Sequence, residues 1–153
     1  MTTIAASLSR RMMAADARMT ITNQAFGTEV AASCTKLIRT RDWIVGCAGD
    51  NDDISRFLAW LKNRRKKRPR VESDFEALLL SRRELLHISD NGEPEMVRDG
   101  FMAIGSGGPI ALGSLTTQVM LGNDPDPRIA VLSACQHDPN SREPVDFLTW
   151  RVD

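Results

Sequence analysis

Residues 43–61 read Trp43-Ile44-Val45-Gly46-Cys47-Ala48-Gly49-Asp50-Asn51-Asp52-Asp53-Ile54-Ser55-Arg56-Phe57-Leu58-Ala59-Trp60-Leu61. The stretch from Trp43 to Ala48 is a continuous apolar run, as expected for a strand covered on both faces. Gly49 and Asp50 end it, and Asn51-Asp52-Asp53 supplies the side-chain oxygens that start helices. Ile54, Phe57, Leu58 and Leu61 then recur at helical spacing, and the helix should fade by Pro69. A doubly covered strand followed by an amphipathic helix implies a layered domain.

Working outward gives the same alternation. Thr3 to Leu8, a turn at Ser9-Arg10-Arg11 and Met12 to Ala15 outline a hairpin that ends at Asp16. Cys34 to Arg39, carrying Leu37 and Ile38, pairs with the 43–48 run. On the other side, Phe75 to Leu80 and Leu85 to Ser89 read as strands, Asp90-Asn91-Gly92 as a turn, and Glu95 to Val97 as a short return strand. Phe101 to Ile104 is apolar and runs into Gly105-Ser106-Gly107-Gly108-Pro109. Two helices, Ile110 to Leu121 and Arg128 to His137, flank the breaker Gly122-Asn123-Asp124-Pro125-Asp126-Pro127, and Val145 to Val152 closes as a strand. The order predicts one α+β domain over residues 1–153.

Composition narrows the function. Twenty Lys+Arg balance twenty Asp+Glu, which argues against a globally electrostatic nucleic-acid binder. No apolar run approaches the roughly 18 residues of a membrane span. The first residues place their basic pair after the apolar stretch, unlike a secretory signal. Three widely spaced cysteines and two histidines give neither a disulfide framework nor a metal site, and no cofactor motif stands out. The expectation is a soluble, reduced, cytoplasmic protein with no cofactor and no metal.

Few residues carry chemistry. Initiator methionine is normally removed before a small residue, so the mature chain is expected to begin at Thr2. A threonine with a free amine holds nucleophile and base in one residue, because an α-amine titrates near 7.7–8.0. Most Met-Thr starts mean nothing of the kind. Lys36 stands in an apolar strand; strand lysines are usually edge residues, but a cation beside a nucleophile would disfavour protonation of the amine. Asp16 is either its partner or a turn residue. Gly105 to Pro109 offers exposed amides at a helix start, although a plain tight turn reads as well and the spacing fits neither dinucleotide nor P-loop patterns. His137-Asp138-Pro139-Asn140-Ser141 alone reads as a helix-ending turn. Residues 62–70 hold seven basic residues in nine, a solvated helix end or an electrostatic docking surface.

Taken in order, Thr2-Thr3-Ile4, Ala14-Ala15-Asp16-Ala17-Arg18, Lys36-Leu37-Ile38, Gly46-Cys47-Ala48-Gly49, Ile104-Gly105-Ser106-Gly107-Gly108 and Asp138-x-x-Ser141 resemble the proteasome β-subunit-like family. Within it, the chain looks close to the bacterial proteasome-like peptidase that partners a AAA+ unfoldase. The resemblance implies the N-terminal-nucleophile hydrolase fold, a four-layer αββα sandwich. It also implies Thr2 as nucleophile, its α-amine as proton acceptor, Asp16 and Lys36 as the charged pair beneath, and Ser106, Asp138 and Ser141 as polar residues around the amine. Gly49 would give a backbone N–H to the oxyanion. Asp50 stands where that family has a second glycine, Arg142 where a glycine commonly follows the serine, and the first hairpin is shorter. The implied function is a threonine peptidase acting on peptides or unfolded proteins, inside a homo-oligomeric double ring with a possible AAA+ unfoldase partner. The alternatives are an inert or small-amide-hydrolysing homologue of the same fold, and a partner- or nucleic-acid-binding module using residues 62–70.

Overall fold

The computed structural model describes residues 2–23, 28–33, 35–63, 67–72 and 74–151, with backbone alone over 19–33. In chain order these form β1 (Thr3–Ser7), β2 (Met12–Asp16), β3 (Arg18–Asn23), β4 (Thr28–Ser33), β5 (Leu37–Arg39), β6 (Ile44–Ala48) and α1 (Asn51–Lys62). Then come β7 (Glu76–Leu80), β8 (Leu85–Ser89), β9 (Glu95–Met96), β10 (Phe101–Gly105), α2 (Gly108–Met120), α3 (Pro127–His137) and β11 (Val145–Thr149).

Two antiparallel sheets face each other, ordered β10-β1-β2-β11 and β5-β6-β7-β8-β9, and β3-β4 forms a separate hairpin. The period of two along each strand sorts residues between layers. Ile4 and Ala6 of β1, Met13 of β2, Ile44 of β6 and Leu78 and Leu80 of β7 point into the seam between the sheets. Their neighbours Val45, Cys47, Ala77 and Leu79 point out the other side, onto Phe57 and Leu61 of α1. On the opposite flank Ala5, Ala14 and Ala103 meet Ala111 and Leu115 of α2 and Ala130, Val131 and Ala134 of α3. Alanine on both surfaces of that contact lets the helices lie close to the sheet. The layers run helix, sheet, sheet, helix, the expected αββα sandwich. Each large side chain fully buried in the seam contributes about 1.5–3 kcal/mol.

Most elements fall where the sequence puts them, with shifts that have local causes. Helix α1 starts at Asn51 because Asp50 is its N-cap, accepting the amides of Asp52 and Asp53. Helix α3 starts at Pro127, with the Asp126 carboxylate accepting the Arg128 amide. Helix α2 starts at Gly108, earlier than the expected Ile110, with Pro109 in its first turn. Strand β5 is shorter than the expected 34–39 stretch, and Cys34 lies outside the described residues. Strand β11 ends at Thr149, and residues 152–153 of its expected span also lie outside the described residues. The β3-β4 hairpin was not among the expected elements.

Candidate active site

The pairing of β1 with β10 sets Thr3 opposite Gly105, which places Thr2 at the mouth of the seam between the sheets. There a cavity of about 480 Å³ is lined by Thr2, Gly49, Glu76 and Ser106, among others. Close approach explains the glycines around it. Gly105 has φ +86°, and a Cβ there would come within 1.8 Å of the Thr2 carbonyl oxygen. At Gly107 a Cβ would meet the Thr3 hydroxyl at 2.0 Å. The Gly-Ser-Gly-Gly segment therefore lets the start of β1 pass over the start of α2.

Asp16, at the end of β2, is fully buried. Its Oδ1 accepts the Lys36 ammonium at 2.8 Å and the Thr3 amide at 2.8 Å. Oδ2 accepts the amides of Arg18 at 3.2 Å and Arg142 at 3.4 Å. A buried carboxylate is tolerated because four donors answer it. Lys36 is likewise withdrawn, its side chain 9% exposed. This pair lies directly under the residue that follows Thr2. Arg142 contributes through its backbone and is itself exposed, so its departure from glycine leaves the site intact.

A second polar network closes the other flank. Asp138 Oδ2 accepts the hydroxyls of Ser106 at 2.8 Å and Ser141 at 2.7 Å, and Ser141 Oγ lies 2.6 Å from Thr3 Oγ1. Burial works against the Asp138 carboxylate, but those hydroxyls and the Asn140 amide outweigh it and hold its pKa below the usual value. Thus Ser141 engages the hydroxyl of Thr3, while Ser106 lines the cavity beside Thr2.

Gly49, at φ +127°, also lines the cavity, and the Asp50 side chain is turned to its helix cap. The departure at Asp50 therefore serves α1 and leaves Gly49 at the cavity. Neither described cysteine is set up as a nucleophile: burial pushes the Cys47 thiol up to about 12, and burial with the nearby Asp16 charge pushes Cys135 to about 11. Among the described residues no cluster of metal-ligating side chains occurs.

Sequence reading gave no role to Glu76, Asp74 or Asp90, all in the cavity wall, or to His87 behind them. Glu76 Oε1 lies 3.3 Å from His87 Nε2, and its Oε2 accepts the Gly105 amide at 3.2 Å. The His87 bond holds the Glu76 pKa low against the opposing effect of burial, helped by the Gly105 amide. A polar residue opening the apolar strand 76–80 was the available signal.

The layers and the glycine-lined approach together define the proteasome β-subunit-like, N-terminal-nucleophile hydrolase fold. Solved structures share it. Eukaryotic HslV from Trypanosoma brucei superposes with a TM-score of 0.75 at 23% identity, over 95% of this chain and 97% of that one. BPH of Thiobacillus denitrificans in complex with epoxomicin gives 0.69 at 18%, over 99% and 100%. The Anbu (Gly-1) mutant from Hyphomicrobium sp. strain MC1 gives 0.64 at 15%, over 98% and 81%. No family model and no curated protein sequence matches the chain.

Proposed function

We propose that this chain is a cytoplasmic threonine-type endopeptidase whose nucleophile is the hydroxyl of Thr2. The observation that supports the reading is that Thr2 lines a cavity while the next residue, Thr3, gives its amide to the buried Asp16 that also holds Lys36. With Met1 removed, the Thr2 α-amine takes the hydroxyl proton as Oγ attacks the peptide carbonyl carbon. The tetrahedral oxyanion forms beside the Gly49 backbone N–H. Collapse expels the amine half of the substrate, which receives the proton, and leaves an ester on Thr2. Water, deprotonated by the same amine, attacks the ester and releases the acid product. The Lys36 charge favours the neutral amine and the ionising hydroxyl, and Asp16 fixes that charge in place. Asp138, Ser106 and Ser141 orient the start of the chain.

A nucleophile of this kind must be sequestered from cellular protein, so the reading includes a homo-oligomeric double ring fed by an unfoldase. Binding of nucleic acid through residues 62–70 is disfavoured. Arg68 is committed to the carbonyls of Asp90 and Gly92 and lies over the Phe57 ring, and residues 64–66 fall outside the described residues.

Intact-mass measurement should show a chain lacking Met1, and Thr2→Ala should abolish turnover of a peptide substrate while melting like the parent. A retained methionine, or undiminished turnover by the alanine variant, would overturn the nucleophile assignment. A processed, folded protein that turns over small amides but no peptide would place it with the small-amide hydrolases, and one that turns over neither would make it an inert homologue.

A further inference from the structure

We propose that the Thr2 cavity selects substrates bearing a cationic side chain, lysine or arginine, on the residue whose carbonyl is attacked; this rests on the peptidase reading above. The side chains lining the cavity include the carboxylates of Asp74, Glu76 and Asp90, and the rest are hydroxyl residues, glycine and alanine. No cationic side chain lines it among the described residues. Arg68 donates to the Asp90 carbonyl, but its guanidinium lies over Phe57 rather than in the lining.

Glu76 is the fixed member of the set. It rises from the first position of β7 and crosses to the other sheet, where its carboxylate accepts the Gly105 amide. Gly105 in turn packs against the Thr2 carbonyl so closely that no Cβ fits. The charge of Glu76 is therefore fixed through the Gly105 backbone that packs on Thr2, and the His87 bond to its other oxygen favours the ionised form. Ser89 and Asp90 follow at the end of β8, and Asp74 sits just before β7, so the carboxylates come from neighbouring strand ends. A neutral side chain entering here would shield these carboxylates from solvent without adding a countercharge, and an acidic one would add repulsion. A lysine or arginine would replace that solvent with opposite charge in a partly enclosed, low-dielectric space, where ion attraction is stronger than in bulk water.

The test uses the processed full-length protein and acylated peptide reporters that differ only in having arginine, lysine, leucine or glutamate at the attacked residue. The expected result is kcat/KM for arginine or lysine above leucine by about tenfold or more, with glutamate slowest. Glu76→Gln, which keeps the acceptor for Gly105, and Asp90→Asn, which suits the left-handed backbone at φ +46°, should each lower the arginine-to-leucine ratio. Binding of the same peptides to Thr2→Ala, followed by fluorescence anisotropy, reads the preference without hydrolysis. Tighter binding of the arginine peptide, lost in the Glu76→Gln background, supports the proposal even if no peptide turns over, an outcome that would strike the peptidase reading alone. Equal or tighter binding of the leucine or glutamate peptide, or a ratio unmoved by both neutralising variants, would overturn it.

Discussion

Lys36 carries a full charge into a site where its side chain is only 9% exposed, and Asp16 Oδ1 accepts its ammonium at 2.8 Å. Removing the lysine leaves Asp16 buried against backbone amides alone, so Lys36→Ala should cost about 3–5 kcal/mol in urea unfolding as well as activity. Asp16→Asn combined with Lys36→Met removes both charges; it should unfold at higher urea than Lys36→Ala and still be inactive. Normal turnover by Lys36→Ala would reduce the lysine to a strand residue. Asp138 gives a separate, pH-dependent signal. Its folded pKa lies below its unfolded value, so its contribution to stability is fully present above the unfolded value and disappears as pH falls through the folded one. Urea midpoints of the parent should therefore fall in acid more steeply than those of Asp138→Asn; parallel curves would count against the Ser106–Asp138–Ser141 network. Singly, a Met-Thr start, an aspartate at a strand end and a strand lysine read as ordinary, and only their order in the resemblance marked Thr2, Asp16 and Lys36; the Lys36–Asp16 pairing is what the fold adds. Glu76 and His87 were not legible in sequence, because they meet diagonally across the β7-β8 ladder, and single-strand patterns do not reveal cross-strand partners.

At the scale of elements, β6 and α1 show how tightly the local signals were coupled. The strand ends at Ala48, Gly49 adopts φ +127°, and Asp50 caps the helix that carries Phe57 back onto the outer face of the same sheet. Phe57 is fully buried and stacks near Phe75 at 5.0 Å, so Phe57→Ala should cost about 3–5 kcal/mol. Asp50→Ala removes only the cap and should cost about 1 kcal/mol. Thermal or urea melts read both; equal losses would mean that the capping bonds contribute more than their geometry implies. The elements that announced themselves are those with a buried face. Among the described residues strands β3 and β4 pair with each other alone, and their stretches, Arg-Met-Thr-Ile-Thr-Asn and Thr-Glu-Val-Ala-Ala-Ser, mix polar and apolar residues without a continuous apolar run. Their alternation was present at period two, but no run of the kind that marked β6 drew attention to it.

For the whole molecule, the outer helical layer beyond the four-stranded sheet is unlike a solvent face. Helix α2 has no charged residue from Gly108 to Met120, and apolar side chains stay open at its far end, Met120 at 81% and Leu121 at 73% exposed. Ile129 and Leu132 of α3 and Phe147 of β11 are exposed as well. Apart from Arg128, whose guanidinium lies over Phe147, this face is apolar, the kind of surface that suits a protein contact. The absence of charge along α2 suits a second copy of the same face better than a charged partner, since nothing on it would pair with charge. On the outer side of α1 the situation is opposite: Phe57 lies in the core, Trp60 packs against it at 5.7 Å, and the surrounding residues are charged. The apolar area of α1 is thus largely used inside the protomer. If the chain assembles as proposed, the α2-α3 layer is the predicted contact, and the Thr2 cavity lies at the opposite, Ser106 end of α2. Light scattering on the processed protein should show an oligomer, whereas a 17.0 kDa monomer at micromolar concentration would remove the compartment from the reading. Met120→Glu with Leu121→Glu should weaken that oligomer while leaving the melting of the protomer unchanged, and Trp60→Glu should leave the oligomer intact. The reverse result, with the α1 variant dissociating and the α2 variant unaffected, would move the interface to the other helical layer.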